Sequence, residues 1–254
     1  MFKKLLATVG VGGASVDTVL NNPSLRPGDV LSGHVQIKGG KVEQDIEYVD
    51  LILMAEVEQE SGDHEARVAK PLGSIRASGA LKIAAGQEIR LPFMLTLPLE
   101  TPVNNAQALA SPGSQYAPNV RAAVWIHTDL AISSAVDAKD RDFLDVHPLP
   151  QMQGLIAAMA ALGFAHVSSD VEAGTIQMNH IHSSLGCYQE FEFRPMQKFS
   201  SVQEVEISCI ARPEGVHVLL ETDRRFRGDS YQSFLMGPDW QSVNWQAHLR
   251  QILA

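Results

Sequence analysis

Two histidines one residue apart, His180-Ile181-His182, are the first residues whose spacing could do chemistry. On a strand, positions i and i+2 share a face, so both imidazoles could reach one transition-metal ion. A third ligand is needed, and nothing nearby stands at a recognisable spacing. Asp63-His64-Glu65 lies in a polar stretch that reads as a loop. Solvent-facing histidines are the plainer reading, with a metal or small ligand at His180 and His182 as the alternative. Cys187 and Cys209 are single thiols without a surrounding motif, and no Gly-x-Ser-x-Gly elbow is present. Gly10-Val11-Gly12-Gly13-Ala14-Ser15 starts like a phosphate loop, but Ser15 takes the third glycine position and no helix pattern follows. No catalytic residue, cofactor or metal is expected.

The densest charged cluster is Glu221-Thr222-Asp223-Arg224-Arg225-Phe226-Arg227. Arg224, Arg225 and Arg227 beside Glu221 and Asp223 read either as a solvated strand end or as a polar interface for an acidic partner. The guanidinium fork suits the second role because it binds carboxylates bidentately. Arg227-Gly228-Asp229 spells an adhesion tripeptide, a match short enough to be coincidence.

The elements that must position these residues are mostly strands. Leu31, Gly33, Val35 and Ile37 alternate with polar residues, as do Ile89, Leu91, Phe93 and Leu95. Pro92 inside the second run marks an edge or a bulge. Val49 to Val57 is apolar on both faces through Ile52 and Met54, which predicts a strand covered on both sides. Val120 to Thr128 reads as one more strand, and Glu58–Ser74 and Thr101–Pro118 read as candidate interaction loops. Near Pro148-Leu149-Pro150 the period changes. Met152, Leu155, Ile156, Met159 and Leu162 predict an amphipathic helix over 151–163, ended by Gly163. Val205, Ile207 and Cys209, the turn Arg212-Pro213-Glu214-Gly215, then Val216, Val218 and Leu220 predict a hairpin. Trp245, Leu249 and Ile252 predict a second helix over 240–253. This is a mainly β chain, with a β-sandwich over 1–147 and a β-rich domain with added helices over 148–254.

The 254 residues hold 20 Lys and Arg against 29 Asp and Glu, a net charge of -9. The acidity is spread: 13 basic against 18 acidic residues before position 148, and 7 against 11 after it. That argues against non-specific nucleic-acid binding. Two cysteines exclude a disulfide-stapled scaffold, and no apolar run approaches a membrane span. Lys3, Lys4, Leu5 and Leu6 are too short a basic-apolar stretch to expect membrane binding.

Several stretches together resemble a known family. They are Phe2-Lys3-Lys4-Leu5-Leu6-Ala7, Gly12 to Thr18, Arg26-Pro27-Gly28-Asp29 through Val35, and Lys38 to Ile46. Leu91-Pro92-Phe93-Met94-Leu95 and Val120-Arg121-Ala122-Ala123-Val124-Trp125 add to them, as do Glu190-Phe191-Glu192-Phe193-Arg194-Pro195 and Leu219 to Arg225. In this order they resemble the bacterial sporulation-control proteins of stage zero, type M, a family described as arrestin-like. The resemblance implies an immunoglobulin-type, arrestin-like N-terminal sandwich and a cytoplasmic, non-enzymatic regulator or adaptor. It implies a protein partner. A homodimer is also compatible, because edge strands need cover.

Overall fold

A computed structural model of the chain describes residues 12–61, 64–115, 117–178, 180–197, 200–225 and 228–254. Arg227 and the Met1–Val9 stretch lie outside the described residues. The chain is mainly β, with two α-helices among the described residues, as expected. No helix among the described residues is long and apolar enough to cross a membrane.

The chain divides into two units, each discontinuous. One is 1–55, 70–98 and 124–145; the other is 56–69, 99–123 and 146–254. The last of the divisions along the chain lies between 145 and 146. However, 56–69 and 99–123 belong with the C-terminal residues, which a single cut of the chain cannot express.

Among the described residues, eleven strands precede the helix at 150–161: β1 Ser15–Leu20, β2 Ser24–Leu25, β3 Val30–Lys38, β4 Gln44–Ser61, β5 His64–Ser78, β6 Leu81–Ile83, β7 Glu88–Thr96, β8 Asn119–Arg121, β9 Val124–Ile132, β10 Ala138–Phe143 and β11 Asp145–Val146. In the first unit, β1, β3 and β7 form an antiparallel sheet, and β10, β9 and β4 form part of another. The period of two decides their faces. Leu31, Val35 and Ile37 of β3 are buried, as are Val49, Leu51 and Leu53 of β4 and Ile126 and Leu130 of β9. Each such side chain contributes about 1.5–3 kcal/mol. Thr18 Oγ1 and Thr128 Oγ1, 2.6 Å apart, and the Thr18 amide donating to Asp140 Oδ2 at 2.7 Å tie β1 to β9 and β10. Pro92 lies opposite His34 on β7, which ends its sheet, so its missing N–H breaks no ladder. Ile52 and Met54 are only half-buried, so β4 is covered fully on one side and partly on the other.

The second unit continues with α1 Pro150–Ala161, β12 Phe164–Ala173, β13 Gln177–Met178, β14 Ile181–His182, β15 Cys187–Pro195, β16 Val202–Arg212, β17 Gly215–Arg224, β18 Ser230–Met236, a 3-10 turn Trp240–Ser242 and α2 Trp245–Leu253. Its sheet runs β12-β15-β16-β17-β18, antiparallel throughout. β8 lies parallel to β12, with Asn119–Arg121 opposite Ser168–Asp170. Met152, Leu155, Ile156 and Met159 bury the apolar face of α1. Pro150 starts that helix, where its missing N–H costs nothing. Gly163 ends it with φ of 88°. The predicted second helix is shorter, because the Asn244 side chain caps it by accepting from the Ala247 amide at 3.0 Å.

Three expectations are corrected. Glu58–Ser74 is not a loop but mostly the paired strands β4 and β5. The single strand expected from Val120 is two, β8 and β9, separated at Ala122 and Ala123. Thr101–Pro118 has no strand or helix among its described residues but is no free loop. Its Thr101, Pro102, Val103, Leu109 and Ser111 are buried, because side chains of the second unit satisfy its backbone. Gln189 accepts from the Val103 amide and donates to the Val103 carbonyl, each at 2.8 Å. His166 Nδ1 lies 2.7 Å from the Leu109 carbonyl oxygen.

A test of the close packing in the first unit lies at Gly33. A Cβ there would meet the Val19 carbonyl oxygen at 2.4 Å. Gly33→Ala is expected to destabilise the chain by about 1–3 kcal/mol, read as a lower urea midpoint with an unchanged slope.

Candidate functional site

Alternation along β15, β16 and β17 places apolar and acidic residues on opposite faces of one sheet. Phe191, Phe193, Val205, Ile207, Val218, Leu220 and Thr222 are buried on the first face. The second carries Glu190 and Glu192, Glu204 and Glu206, and Glu221 and Asp223, an i, i+2 pair on each strand. Register makes a row of them. Glu192 lies opposite Glu206, Glu206 opposite Glu221, and Glu204 opposite Asp223. The row ends on β18, where Tyr231 lies opposite Glu221 and its hydroxyl donates to Glu221 Oε1 at 2.6 Å.

Opposite residues of neighbouring strands sit about 5 Å apart, so these carboxylates repel while half withdrawn from water. Burial, then the neighbouring Glu206 and Glu172, push Glu190 up to about 7. Burial, then Glu221 and Glu204, push Glu206 up to about 7. The partial counterweight is Arg194, whose Nε lies 2.9 Å from Glu204 and Nη2 3.9 Å from Glu192. Ser168 also donates its hydroxyl to Glu192. Glu204, Glu206, Glu221, Asp223 and Asp229 line a hollow of about 280 Å³. Glu192, Glu204 and Glu206 have carboxylate oxygens within 4.8 Å of one another, the one group of three potential metal ligands among the described residues. Oxygen ligands of this kind suit a hard cation; Arg194 already neutralises part of the charge.

At the β12 end, a second polar cluster is built from ion pairs. Glu58 is almost fully buried and lies 2.8 Å from Arg67 and 3.9 Å from Arg121. Arg121 lies 3.5 Å from Asp170 Oδ1, its neighbour in register, without hydrogen-bond geometry. Burial raises the Asp170 pKa, and Arg121 opposes that rise. A third arginine, Arg212, holds the buried Glu100 at 2.6 Å and donates to the His182 carbonyl at 2.8 Å. Ser184 donates its amide and its hydroxyl to the same Glu100.

The expected cluster at 221–227 is divided by the strand period. Glu221 and Asp223 join the acidic face. Arg224 points to the other side, where Nη1 donates to the Ala254 carbonyl at 3.3 Å. Arg225 is an exposed turn residue whose amide donates to the Ser201 carbonyl at 3.0 Å. The shared strand face expected for His180 and His182 is also corrected. His182 belongs to β14, but His180 is in the turn between β13 and β14. His180 instead borders, with His217, a hollow of about 270 Å³ lined by Met178, Ile181 and Leu235.

His166 was not singled out in the sequence. It is buried, stacks on Phe193 at 4.9 Å, and has carbonyl oxygens at both ring nitrogens. Burial lowers its pKa against the pull of those carbonyls. A neutral ring carries one N–H, so only one carbonyl receives a donor. Cys209 faces α1, and burial pushes its thiol up to about 12.

Comparison with known proteins places the chain. The model of the SpoOM protein family matches residues 2–226. The chain belongs to that family. It is 34% identical over 229 residues to the sporulation-control protein spo0M of Bacillus subtilis (strain 168), covering 89% of this chain and 82% of that one. The crystal structure of Spo0M from Bacillus subtilis superposes with a TM-score of 0.80 at 27% identity, over 96% of this chain and 98% of the other. The family resemblance read from the sequence is therefore correct.

Two outcomes test this site. Groups held above their unfolded pKa stabilise the fold at low pH and cease to as pH passes the folded value. Stability should fall between about pH 5 and about pH 8, and Glu190→Gln should flatten that decline in thermal melts. Separately, Arg212→Ala should cost about 1–3 kcal/mol, because Glu100 then keeps only its Ser184 hydrogen bonds and loses its countercharge, whereas Glu100→Gln with Arg212→Met should cost less in urea unfolding.

Proposed function

We propose that the chain is a non-enzymatic, cytoplasmic regulator that acts by binding other proteins, its N-terminal part forming an arrestin-like immunoglobulin sandwich. The observation that carries this is the family relation, since the Bacillus subtilis relative is named a sporulation-control protein. Regulation by shape requires surfaces, and the second unit offers an acidic sheet face backed by a mainly apolar one. Both cysteines and His166 are spent on structure. Cys187 is buried, the Cys209 thiol is held far above neutrality, and His166 is enclosed by two phenylalanines. A thiol protonated at neutral pH is a poor nucleophile.

Affinity capture with the tagged full chain, from cultures sampled across growth, should recover a protein in stoichiometric amount. Repeated absence of such a protein, with a small molecule copurifying instead, would reject the adaptor reading.

A further inference from the structure

We infer that the outer edge of β18 takes up an extended peptide segment carrying a basic residue and an apolar residue four positions apart. This rests on the adaptor reading and gives the partner's chemistry.

The first observation is the edge itself. The sheet order ends at β18, and no further strand pairs with it among the described residues. Ser230–Met236 contains no proline and no charged residue. Natural edge strands are usually blunted by one or the other, because an open row of backbone groups invites another strand. The edge strand β7 of the first unit is blunted in that way, by Glu88, Arg90 and Pro92. Gln232, whose register places it on the helix-covered side opposite Leu220, is nevertheless exposed, so the edge is accessible.

The second observation is what borders that edge on its polar face. Tyr231, Ser233 and Leu235 share this face, opposite Glu221, Leu219 and His217. Beside Tyr231 is the hollow of five carboxylates, Glu204, Glu206, Glu221, Asp223 and Asp229, with no basic residue among the described residues of its lining. Beside Leu235 is the other hollow, bordered by Met178, Ile181 and Leu235 and rimmed by His180 and His217. Tyr231 is 57% and Leu235 43% exposed. Tyr231 and Leu235 are four residues apart, about 13 Å along an extended chain. A strand laid along β18 in either direction presents every second side chain to this face. Its basic residue would meet the carboxylates, and an apolar residue four positions away would enter the second hollow.

Charge complementarity also selects against a second copy of this chain as the occupant. Pairing β18 with itself would place an uncharged strand against the carboxylates and add nothing to the partial relief that Arg194 gives them.

The test uses the full chain and a short fluorescein-labelled, threonine-rich peptide with arginine and leucine four positions apart. Fluorescence anisotropy should show binding that weakens with salt. Replacing the peptide arginine by glutamine, or introducing Leu235→Lys, should cost about tenfold in affinity, or about 1.4 kcal/mol. The double variant Glu221→Gln with Asp229→Asn should weaken the arginine peptide and leave the glutamine peptide unchanged. Amide shifts of the 15N-labelled chain at saturating peptide should centre on 230–236. Absence of binding, equal binding by the glutamine peptide, or shifts centred elsewhere would overturn the proposal. So would a dimer in sedimentation that Leu235→Lys dissolves, since a second copy would then cover the edge. Lysate capture separates the two readings: a partner retained equally by wild type and Leu235→Lys would remove this edge and leave the adaptor reading standing.

Discussion

Neighbouring strands in a sheet are held about 4.8 Å apart by their hydrogen bonds, and that spacing governs the second unit. Burying Phe191, Phe193, Val205, Ile207, Val218 and Leu220 on one face fixes the register of β15, β16 and β17. The same register brings Glu192, Glu206 and Glu221 into one row on the other face. A slip by one residue would relieve the carboxylates but turn the apolar set into water. Hydrophobic burial exceeds the repulsion and holds the strands in this register, and burial, then the neighbouring carboxylates, push Glu190 and Glu206 up to about 7. The acidic face is thus a consequence of the core behind it.

A second constraint is the satisfaction of buried backbone groups. The stretch 101–118 has no strand or helix to use its amides and carbonyls, yet several of its residues are buried. Gln189 and His166 supply missing partners, and the Ser111 hydroxyl in turn accepts from the His166 amide. Glu100, Arg212 and Ser184 do the same where the β13-β14 hairpin meets the sheet. Polar residues that could have been candidates for chemistry are in this way committed to holding irregular chain in place. Arg212 does this work at the β13-β14 hairpin, and Arg224 donates to the Ala254 carbonyl.

Much of this was legible in the chain. The alternation in β3, β7, β16 and β17, the helix ended by Gly163, and the turn at Pro213-Glu214 stand out by period and turn chemistry. The family was legible because its motifs occur in order along most of the chain. The carboxylate row was half legible: Glu190 and Glu192, Glu204 and Glu206, and Glu221 and Asp223 each show the i, i+2 spacing of one strand face. Their stacking was not legible, because it depends on which strands are neighbours. The polar stretch after Glu58 looked like a loop since its charges resemble solvent-exposed connection. In the structure Arg67 is the partner of a buried glutamate on the strand beside it.

By itself the sequence determined the β character, the two helices, the faces of individual strands and the family, all of which follow from local period or from ordered motifs. Tertiary structure alone decided that 56–69 and 99–123 belong with the C-terminal residues, that six carboxylates share one face, and that β18 is left as an edge. These depend on strand order and register, which are set by contacts between residues distant in the chain. A period of two says which way a side chain points from its own strand, and is silent on what it will face.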